Sequence, residues 1–463
     1  MRGFEPLDFT PFLLLTISYK PLTSIRKMSD SKILLILMPV FWPKMPPLGI
    51  NYLKASAAFH GFNVDVLDLN NRFYNLASKG LKKEWLISCN VNLEENILKI
   101  IEANHPKEWS QCLKAMADYD TVGFSVFKSN VKTTQDVARR LKRLNPRLKI
   151  LFGGPETARR YFKADSKLNE SCDHMIVGEG ERPFVEYLKK KTLPALCAFQ
   201  ELPDLKNLPF PRYDCLGQSV YPRPDAVALL FSRGCPRQCR FCSERLLYRS
   251  FRRRSVESLL DEIAFHKAKG VRYFVFHDSM FNADLKALNT FCDLVIKRYG
   301  AVFWEAQIGV RRDMSAALLR KINKSGCYNL FIGLESGCDK TLKNMQKGFN
   351  RAEALSLFKS LKKAGLNFGI SLIVGYPTET EEDFVESLDF ILKNKDFIPK
   401  VEQINPFVHY DGTTVCAQEG AATTLKALGR MEVALKAFKE HGIRYTNAFV
   451  GNLIEKNNEY LKK

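Results

Sequence analysis

The stretch from Gly234 to Cys242 reads Gly-Cys-Pro-Arg-Gln-Cys-Arg-Phe-Cys and carries three cysteines in the spacing C-x3-C-x2-C. Three thiolates can hold three irons of a [4Fe-4S] cube and leave the fourth iron without a protein ligand, whereas most electron-transfer clusters take four cysteines. A metal with one open position can bind and activate a small molecule, as catalytic zinc does. We therefore predict that Cys235, Cys239 and Cys242 are cluster ligands.

Ordinary thiols or a zinc site are the alternatives for this motif. Structural zinc sites pair C-x2-C with a second pair of Cys or His, and no such pair lies close by in the sequence. The other cysteines form no disulfide framework, which favours a reducing cytoplasm. They are scattered along the chain as Cys89, Cys112, Cys172, Cys197, Cys215, Cys292, Cys327, Cys338 and Cys416.

The length and composition predict a soluble protein of two domains. A chain of 463 residues is longer than one hydrophobic core usually supports, and its hydrophobic fraction of 46% is ordinary for a globular protein. The net charge of +20 indicates either an anionic partner or solvated Lys-rich helices. We favour the second, and the sequence indicates no clear nucleic-acid partner, because no basic run alternates with aromatic residues. No apolar stretch is long enough for a transmembrane helix.

The arginines at 249 and 252–254 also allow two interpretations, an anionic ligand or a solvated face. They can bind a phosphate or a carboxylate ligand, since guanidinium groups suit oxyanions. The interpretation we favour is a solvated face that shields a loop.

The first half of the chain alternates strands and helices, which predicts a flavodoxin-like, Rossmann-type parallel sheet with helices on both faces. Ligands of such sheets bind at the carboxyl ends of the strands. Pro39–Leu48, Lys128–Asn130 and Gly153–Thr157 should meet there, which makes Ser129, Gly153 and Gly154 candidate ligand contacts; a tight turn alone is the alternative for the two glycines. The strands are predicted at Ile33–Met38, Val64–Leu67, Thr121–Phe127, Lys149–Phe152 and His174–Val177, and residues 72–118 as a helical insertion.

The second half follows a proline-rich connector and predicts a partial (β/α)6 barrel. Six strands are each followed by a helix, and the active site of such a barrel lies at the carboxyl ends of the strands. Asp278, Glu335, Ser336 and Gly375 fall at those ends. The predicted strands are Ala226–Ser232, Tyr273–Phe276, Phe303–Ile308, Asn329–Gly333, Gly369–Val374 and Val401–Phe407.

The cysteine motif resembles the signature of the radical S-adenosylmethionine (SAM) enzymes. In that family SAM chelates the open iron, and one electron from the cluster cleaves it to methionine and a 5′-deoxyadenosyl radical. The resemblance implies that Asp278 lies near the methionyl end of SAM and that Glu335 and Ser336 face its ribose or amino group. It also implies that Gly375 lets the backbone run close to the adenosyl group. One departure is His277-Asp278-Ser279, where many members carry a Gly-Gly-Glu type turn.

Residues 32–198 resemble the cobalamin-binding domain that precedes the radical SAM core in many bacterial and archaeal enzymes. Many cobalamin domains ligate cobalt through the histidine of an Asp-x-His-x-x-Gly motif. Asp173, His174 and Gly178 have the wrong spacing for it, so no lower ligand is assigned, and His60 and His174 are interpreted as packed or surface residues. The resemblance rests on Pro46-Pro47-Leu48-Gly49, Gly123-Phe124-Ser125, Gly153-Gly154-Pro155 and Gly178-Glu179-Gly180-Glu181.

The resemblance implies a cobalamin-dependent radical SAM enzyme that methylates an unactivated carbon of a small molecule, lipid or peptide. It also implies an external one-electron reductant of the flavodoxin or ferredoxin type. Two alternatives stay open: a methylthiotransferase, which needs three more clustered cysteines, and an iron–sulfur sensor or RNA-binding protein without turnover. The predicted organisation is an extension over 1–27, a cobalamin-binding-like domain over 28–198, a linker over 199–225, the radical SAM core over 226–450 and a tail over 451–463.

Overall fold

The computed structural model describes residues 32–86, 90–163, 170–213, 220–415 and 421–445. The predicted extension over 1–27 and the predicted tail over 451–463 lie outside these ranges, as do Cys89, Cys215 and Cys416. None of the helices in the described ranges is long and apolar enough to cross a bilayer.

The first sheet is entirely parallel and has the strand order β2-β1-β3-β4-β5-β6. Its first five strands follow the flavodoxin-like order, which confirms that prediction. The sixth was not predicted because three residues give no usable alternation. The strands are β1 (Ile33–Leu37), β2 (Asp65–Asp68), β3 (Thr121–Ser125), β4 (Lys149–Gly153), β5 (His174–Val177) and β6 (Leu196–Ala198).

Helices cover both faces of this sheet, and β1 shows why. Leu34 and Ile36 pack into one hydrophobic core, whereas Ile33, Leu35 and Leu37 pack into another on the opposite face. The continuous apolar run of β1 follows from this burial on both sides. The helices of this half are α1 (Leu48–Phe59), α2 (Leu69–Leu76), α3 (Lys79–Trp85), α4 (Val91–Asn104), α5 (Pro106–Ala117), α6 (Val131–Leu144), α7 (Pro155–Lys163) and α8 (Glu181–Lys190), of which α2 to α5 form the predicted helical insertion.

The second sheet is the predicted six-stranded partial barrel, with its parallel strands in sequential order. A short antiparallel ribbon that was not predicted, β8 (Ser232–Arg233) with β9 (Arg252–Arg253), closes the base of the cysteine loop. The barrel strands are β7 (Ala226–Leu229), β10 (Tyr273–Phe276), β11 (Phe303–Ile308), β12 (Cys327–Glu335), β13 (Phe368–Val374) and β14 (Val401–Pro406). The helices are α9 (Glu244–Leu247), α10 (Val256–Lys267), α11 (Leu285–Tyr299), α12 (Ala316–Lys324), α13 (Asp339–Asn344), α14 (Arg351–Lys363), α15 (Glu381–Lys393) and α16 (Ala421–Glu440).

Side chains of the barrel strands alternate between the helices and the lumen. Phe274, Phe276 and Trp304 pack outward into the core beneath the helices. Because successive side chains point to opposite faces of a strand, His277 and Gln307 face the lumen, where both line a cavity. The hydrophobic core therefore lies between strands and helices, and the lumen is left for polar groups.

The described part of the connector over 199–225 packs on both domains. Tyr213 lies in the core of the barrel. The hydroxyl of Tyr221 donates a hydrogen bond of 2.7 Å to the buried carboxylate of Asp68 at the end of β2. This segment therefore fixes the two domains against each other.

The arginine run after the cysteine loop is engaged with protein groups. Arg254 is buried and pairs with Glu262, and Arg252 lies 2.8 Å from Glu179. The interpretation as a solvated face is therefore wrong for these two arginines. Arg252 pairs with a carboxylate of the first domain, and Arg254 pairs with a carboxylate of α10. Arg249 stacks 3.9 Å from the ring centre of Phe199.

Candidate active site

The cysteine loop begins directly after the ribbon strand β8. Gly234 has a φ of +78°, and a Cβ at this position would collide with the carbonyl oxygen of Ser250, so the turn requires glycine. Farther along the loop, the backbone N–H of Cys242 donates to the carbonyl of Cys239 over 3.2 Å. Together with Cys235, these cysteines line a cavity of about 700 Å³ inside the barrel.

The donor set fits a cluster with three protein ligands. Among the described residues that line the cavity, the three motif cysteines are the only thiols. Burial raises the pKa of the Cys235 thiol and raises that of Cys242 to about 12. Thiolates at these positions need a bound cation, and iron would supply the charge. Phe241 covers this region with apolar surface, together with Met345 and Tyr376.

Glu335 sits in strained backbone at the end of β12. Its φ of +70° is uncommon for a residue with a side chain. Lys347 Nζ lies 3.3 Å from its Oε1, and the hydroxyl of Ser371 donates to its Oε2 over 2.9 Å. Both Glu335 and Lys347 line the barrel cavity. The contact between Glu335 and the ribose or amino group of SAM stays a prediction.

Asp278 lies at the end of β10 and also lines the barrel cavity. Its carboxylate accepts hydrogen bonds from the backbone N–H groups of Phe231, over 3.0 Å, and Ser232, over 2.5 Å. Burial raises the pKa of Asp278 to about 6, while these hydrogen bonds oppose the shift. The carboxylate thus fixes the chain just before the cysteine loop, and its predicted contact with SAM is untested.

Ser336 and Gly375 are not among the described residues that line the barrel cavity. The buried hydroxyl of Ser336 accepts a hydrogen bond of 3.1 Å from the N–H of Cys338. Gly375 has a φ of +77°, and its N–H donates to Glu379 over 2.7 Å. Their predicted roles toward SAM remain predictions.

A second cavity, of about 310 Å³, lies at the carboxyl ends of the first sheet and faces the barrel. A Cβ at Gly49 or Gly153 would meet nothing within 4 Å, so these glycines widen the cavity. Gly154 has a φ of +98°, and a Cβ there would lie 2.7 Å from the carbonyl oxygen of Val126. Glycines at these positions let a bulky, flat cofactor such as a corrinoid approach the backbone closely.

Ser129 is not among the described residues that line this second cavity. Its hydroxyl donates a hydrogen bond of 2.6 Å to the carbonyl of Val40, and the Asn130 side-chain amide donates one of 3.1 Å to the carbonyl of Met38. The turn at 128–130 therefore holds the loop that follows β1. Its predicted contact with a ligand is untested.

His277 and Glu244 line both cavities and form a wall between them. The hydroxyl of Ser279 donates to Glu244 over 2.5 Å. The sequence reasoning assigned no role to His277. The one sequence feature that could have indicated a functional role is its position, directly before Asp278 at the end of a barrel strand.

Arg233 joins the first domain to the cysteine loop. Its Nη2 lies 2.5 Å from Glu181 Oε1, its Nη1 lies 3.2 Å from Glu179 Oε1, and all three side chains are buried. Both acids belong to the Gly-Glu-Gly-Glu stretch that follows β5. Sequence reasoning missed this junction, although an arginine directly before Gly234 was visible.

Two families match separate parts of the chain. Residues 229–391 match the radical SAM superfamily. Residues 94–188 match the B12 binding domain. The first range contains the three motif cysteines, and the second contains Gly153 and Gly154.

Relatives and solved structures extend the likeness over both domains. An uncharacterized methyltransferase of Pyrococcus horikoshii is 27% identical over 79% of this chain and 79% of its own length. The cytidylyl-2-hydroxyethylphosphonate methyltransferase of Streptomyces wedmorensis is 22% identical over 83% of this chain and 80% of its own. The radical SAM methyltransferase TsrM of Kitasatospora setae, solved with cobalamin and a [4Fe-4S] cluster, superposes with a TM-score of 0.64 at 16% identity, covering 84% and 74% of the two chains; this likeness shows the fold.

The flavodoxin-like domain, the barrel and the cysteine triad define a two-domain iron–sulfur enzyme with a cavity in the barrel and a second cavity beside it. The chain belongs to the radical SAM enzymes that carry a B12-binding domain. Its cofactors are a [4Fe-4S] cluster, SAM and cobalamin.

Proposed function

We propose that this enzyme transfers a methyl group to an unactivated carbon of its substrate. One observation carries the proposal: the glycine-lined cavity of the first domain and the cysteine-lined cavity of the barrel share His277 and Glu244 as a common wall. A substrate held at this wall is within reach of groups bound on either side. Methyl transfer to a carbon needs this proximity.

When bound, the cluster and SAM supply one-electron chemistry that removes a hydrogen atom, and cobalamin supplies a methyl group. Cys235, Cys239 and Cys242 would hold the cluster. Asp278 fixes the chain that leads into the cysteine loop through its hydrogen bonds to Phe231 and Ser232.

The remaining residues shape the two cavities. Glu335 and Lys347 would orient SAM in the barrel, since their ion pair lies in the cavity wall. Gly153 would let the corrin approach the backbone. The ion pairs of Arg233 with Glu179 and Glu181 hold the first domain over the barrel mouth.

The substrate and the reductant complete the proposal. The barrel cavity is lined by polar side chains such as Glu305, Gln307 and Asn329. This lining favours a small molecule or peptide group over a purely apolar lipid tail. An external one-electron donor, a flavodoxin or a ferredoxin, would reduce the cluster.

Anaerobic reconstitution with iron, sulfide and cobalamin tests the function. We expect corrinoid absorption bands that stay with the protein through gel filtration. Addition of SAM and reductant should then release 5′-deoxyadenosine. With SAM labelled in its methyl group, the product mass distinguishes methylation from methylthiolation. A reconstituted protein that releases 5′-deoxyadenosine but retains no corrinoid would refute the methyl-transfer mechanism.

A further inference from the structure

Two lumen-facing polar side chains lie side by side at the wall between the cavities. The parallel register pairs Phe276 with Ala306, so the next residues, His277 and Gln307, are neighbours across β10 and β11. Adjacent strands lie about 4.8 Å apart, and this spacing places the imidazole beside the carboxamide. Both side chains line the barrel cavity and are accessible to solvent.

Neither side chain has a hydrogen-bond partner in the described ranges. The backbone N–H of His277 donates to Leu229, and the backbone carbonyl of Gln307 accepts from Phe281, but no group bonds to the imidazole or the carboxamide. Desolvation by the protein packed around the barrel cavity lowers the pKa of the His277 imidazole. The ring is therefore neutral near pH 7, with one donor and one acceptor nitrogen.

Two carboxylates of the same cavity differ from the pair because they bond to protein partners. Glu335 bonds to Lys347 and Ser371, and Glu244 accepts from Ser279. Within the part of the chain that the structure describes, the His277 imidazole and the Gln307 carboxamide have no protein partner to give up. Both are therefore free to form hydrogen bonds with a molecule bound in the barrel cavity.

Apolar side chains flank the pair at the same level. The register pairs Gln307 with Phe331 on one side, and it pairs Phe276 with Leu229, so that Leu230 follows beside His277. Leu230 lines the cavity of the first domain, and Phe331 lines the barrel cavity. The layer thus offers an aromatic face and an aliphatic face around two polar groups, which suits a planar ligand.

We propose that His277 and Gln307 form the substrate subsite and bind a planar, partly apolar molecule through an N–H or O–H group on its edge. This proposal rests on the proposed function, because it places the substrate at the wall between the two cavities. His277 reaches both cavities, so the bound edge would lie beside the position from which the methyl group comes.

The test measures binding without turnover, in the reconstituted holoenzyme with SAM present and reductant left out. The probe is indole, a planar ring with one N–H, and its matched partner is 1-methylindole, which lacks that donor. Ligand-observed NMR titration gives both dissociation constants. We expect wild type to bind indole more tightly than 1-methylindole. Indole has one donor and therefore bonds to one acceptor of the pair. At least one of His277→Ala and Gln307→Ala should weaken indole binding by about 3- to 10-fold, as the loss of one hydrogen bond does, and both should leave 1-methylindole binding unchanged.

Two controls separate this subsite from the cofactor sites. Gln403→Ala removes another amide of the barrel cavity, one that already accepts a hydrogen bond from Asn405, and should leave indole affinity unchanged. SAM affinity and the electron paramagnetic resonance spectrum of cob(II)alamin should be the same in wild type, His277→Ala and Gln307→Ala.

Several results would overturn the proposal. Wild type that binds neither probe, or binds both equally, excludes recognition through an edge donor. A loss of SAM affinity in His277→Ala or Gln307→Ala assigns the pair to SAM instead. Nitrogen hyperfine splitting that disappears in His277→Ala makes the imidazole a cobalt ligand. Because none of these readouts needs catalysis, a failure of methyl transfer is recognised separately.

Discussion

Arg233 Nη2 lies 2.5 Å from Glu181 Oε1, and this ion pair is buried between the first domain and the ribbon that leads into the cysteine loop. The two residues are 52 positions apart in the sequence. The contact therefore couples the placement of one cofactor domain to the loop that carries the cluster ligands.

Removing the guanidinium should destabilise the protein strongly, because Glu179 and Glu181 would then share a buried site with less positive charge. For Arg233→Gln we expect the free energy of unfolding to fall by about 3–5 kcal/mol, measured by urea denaturation. The matched control is Arg182→Gln, which removes an exposed guanidinium 3.5 Å from the half-buried Glu186. In Arg182→Gln the free energy of unfolding should fall by less than about 1 kcal/mol. Equal losses in the two variants would contradict a stabilising role for the buried pair.

Replacing any one motif cysteine should abolish cluster assembly. In Cys235→Ala, Cys239→Ala and Cys242→Ala, we expect iron and sulfide after reconstitution to fall to background, because two thiolates cannot hold the cube. Release of 5′-deoxyadenosine should disappear with the iron. Cys197→Ala in β6 removes a buried thiol that does not line the barrel cavity and should keep full iron content. A motif variant that assembles a normal cluster would refute the ligand assignment.

Substitutions at the adjacent glycines Gly153 and Gly154 should affect different properties, corrinoid retention at the first and stability at the second. Gly153→Leu places its side chain in open space, so the fold should persist while corrinoid retention falls by at least tenfold. Gly154→Ala strains the backbone at a φ of +98° and crowds the Val126 carbonyl, so it should cost stability by about 1–2 kcal/mol or more. Absorption after gel filtration and thermal unfolding separate the two effects. Normal corrinoid retention in Gly153→Leu would contradict the cavity assignment.

Asp68 should make stability depend on pH. Burial raises its pKa from 3.8 to about 6, so between these values the folded protein binds more protons than the unfolded chain. Stability from this group is therefore complete below about pH 4 and is lost as pH rises through 6. Relative to Asp68→Asn, the free energy of unfolding of wild type should fall by about 2 kcal/mol from pH 4 to pH 7.

The Asn variant is matched, because its side chain can keep hydrogen bonds to the Asn71 N–H and the Tyr221 hydroxyl. Asp278 titrates in both proteins over the same range, so the difference between the two curves reports Asp68 alone. Parallel curves in urea denaturation from pH 4 to 7 would show that Asp68 keeps an ordinary pKa.

Elements with strong periodic signals could be predicted from the sequence. His174–Val177 and Tyr273–Phe276 were predicted with the bounds found in the structure, because apolar runs between glycines and helices identify buried parallel strands. Leu196–Ala198 and the ribbon β8–β9 are too short for any alternation to appear. The position of the cysteine motif was equally plain, since the spacing itself carries the chemistry.

The pairing of distant residues could not be predicted. His277 and Gln307 become neighbours only through the register of β10 and β11, and Arg233 finds Glu181 only when the two domains meet. The strand order did predict that the loop at 39–48 would meet the turn at 128–130, but not that Ser129 would bond to the carbonyl of Val40. Such contacts depend on tertiary packing, which propensity and spacing do not encode.

The ribbon in which Ser232 pairs with Arg253, and Arg233 with Arg252, ties together both ends of the segment that carries the metal ligands. A segment with tethered ends has little chain entropy left to gain when it loses its metal. Oxidative loss of the iron should therefore leave the loop folded, so that repair requires only the reinsertion of metal and sulfide into an existing site.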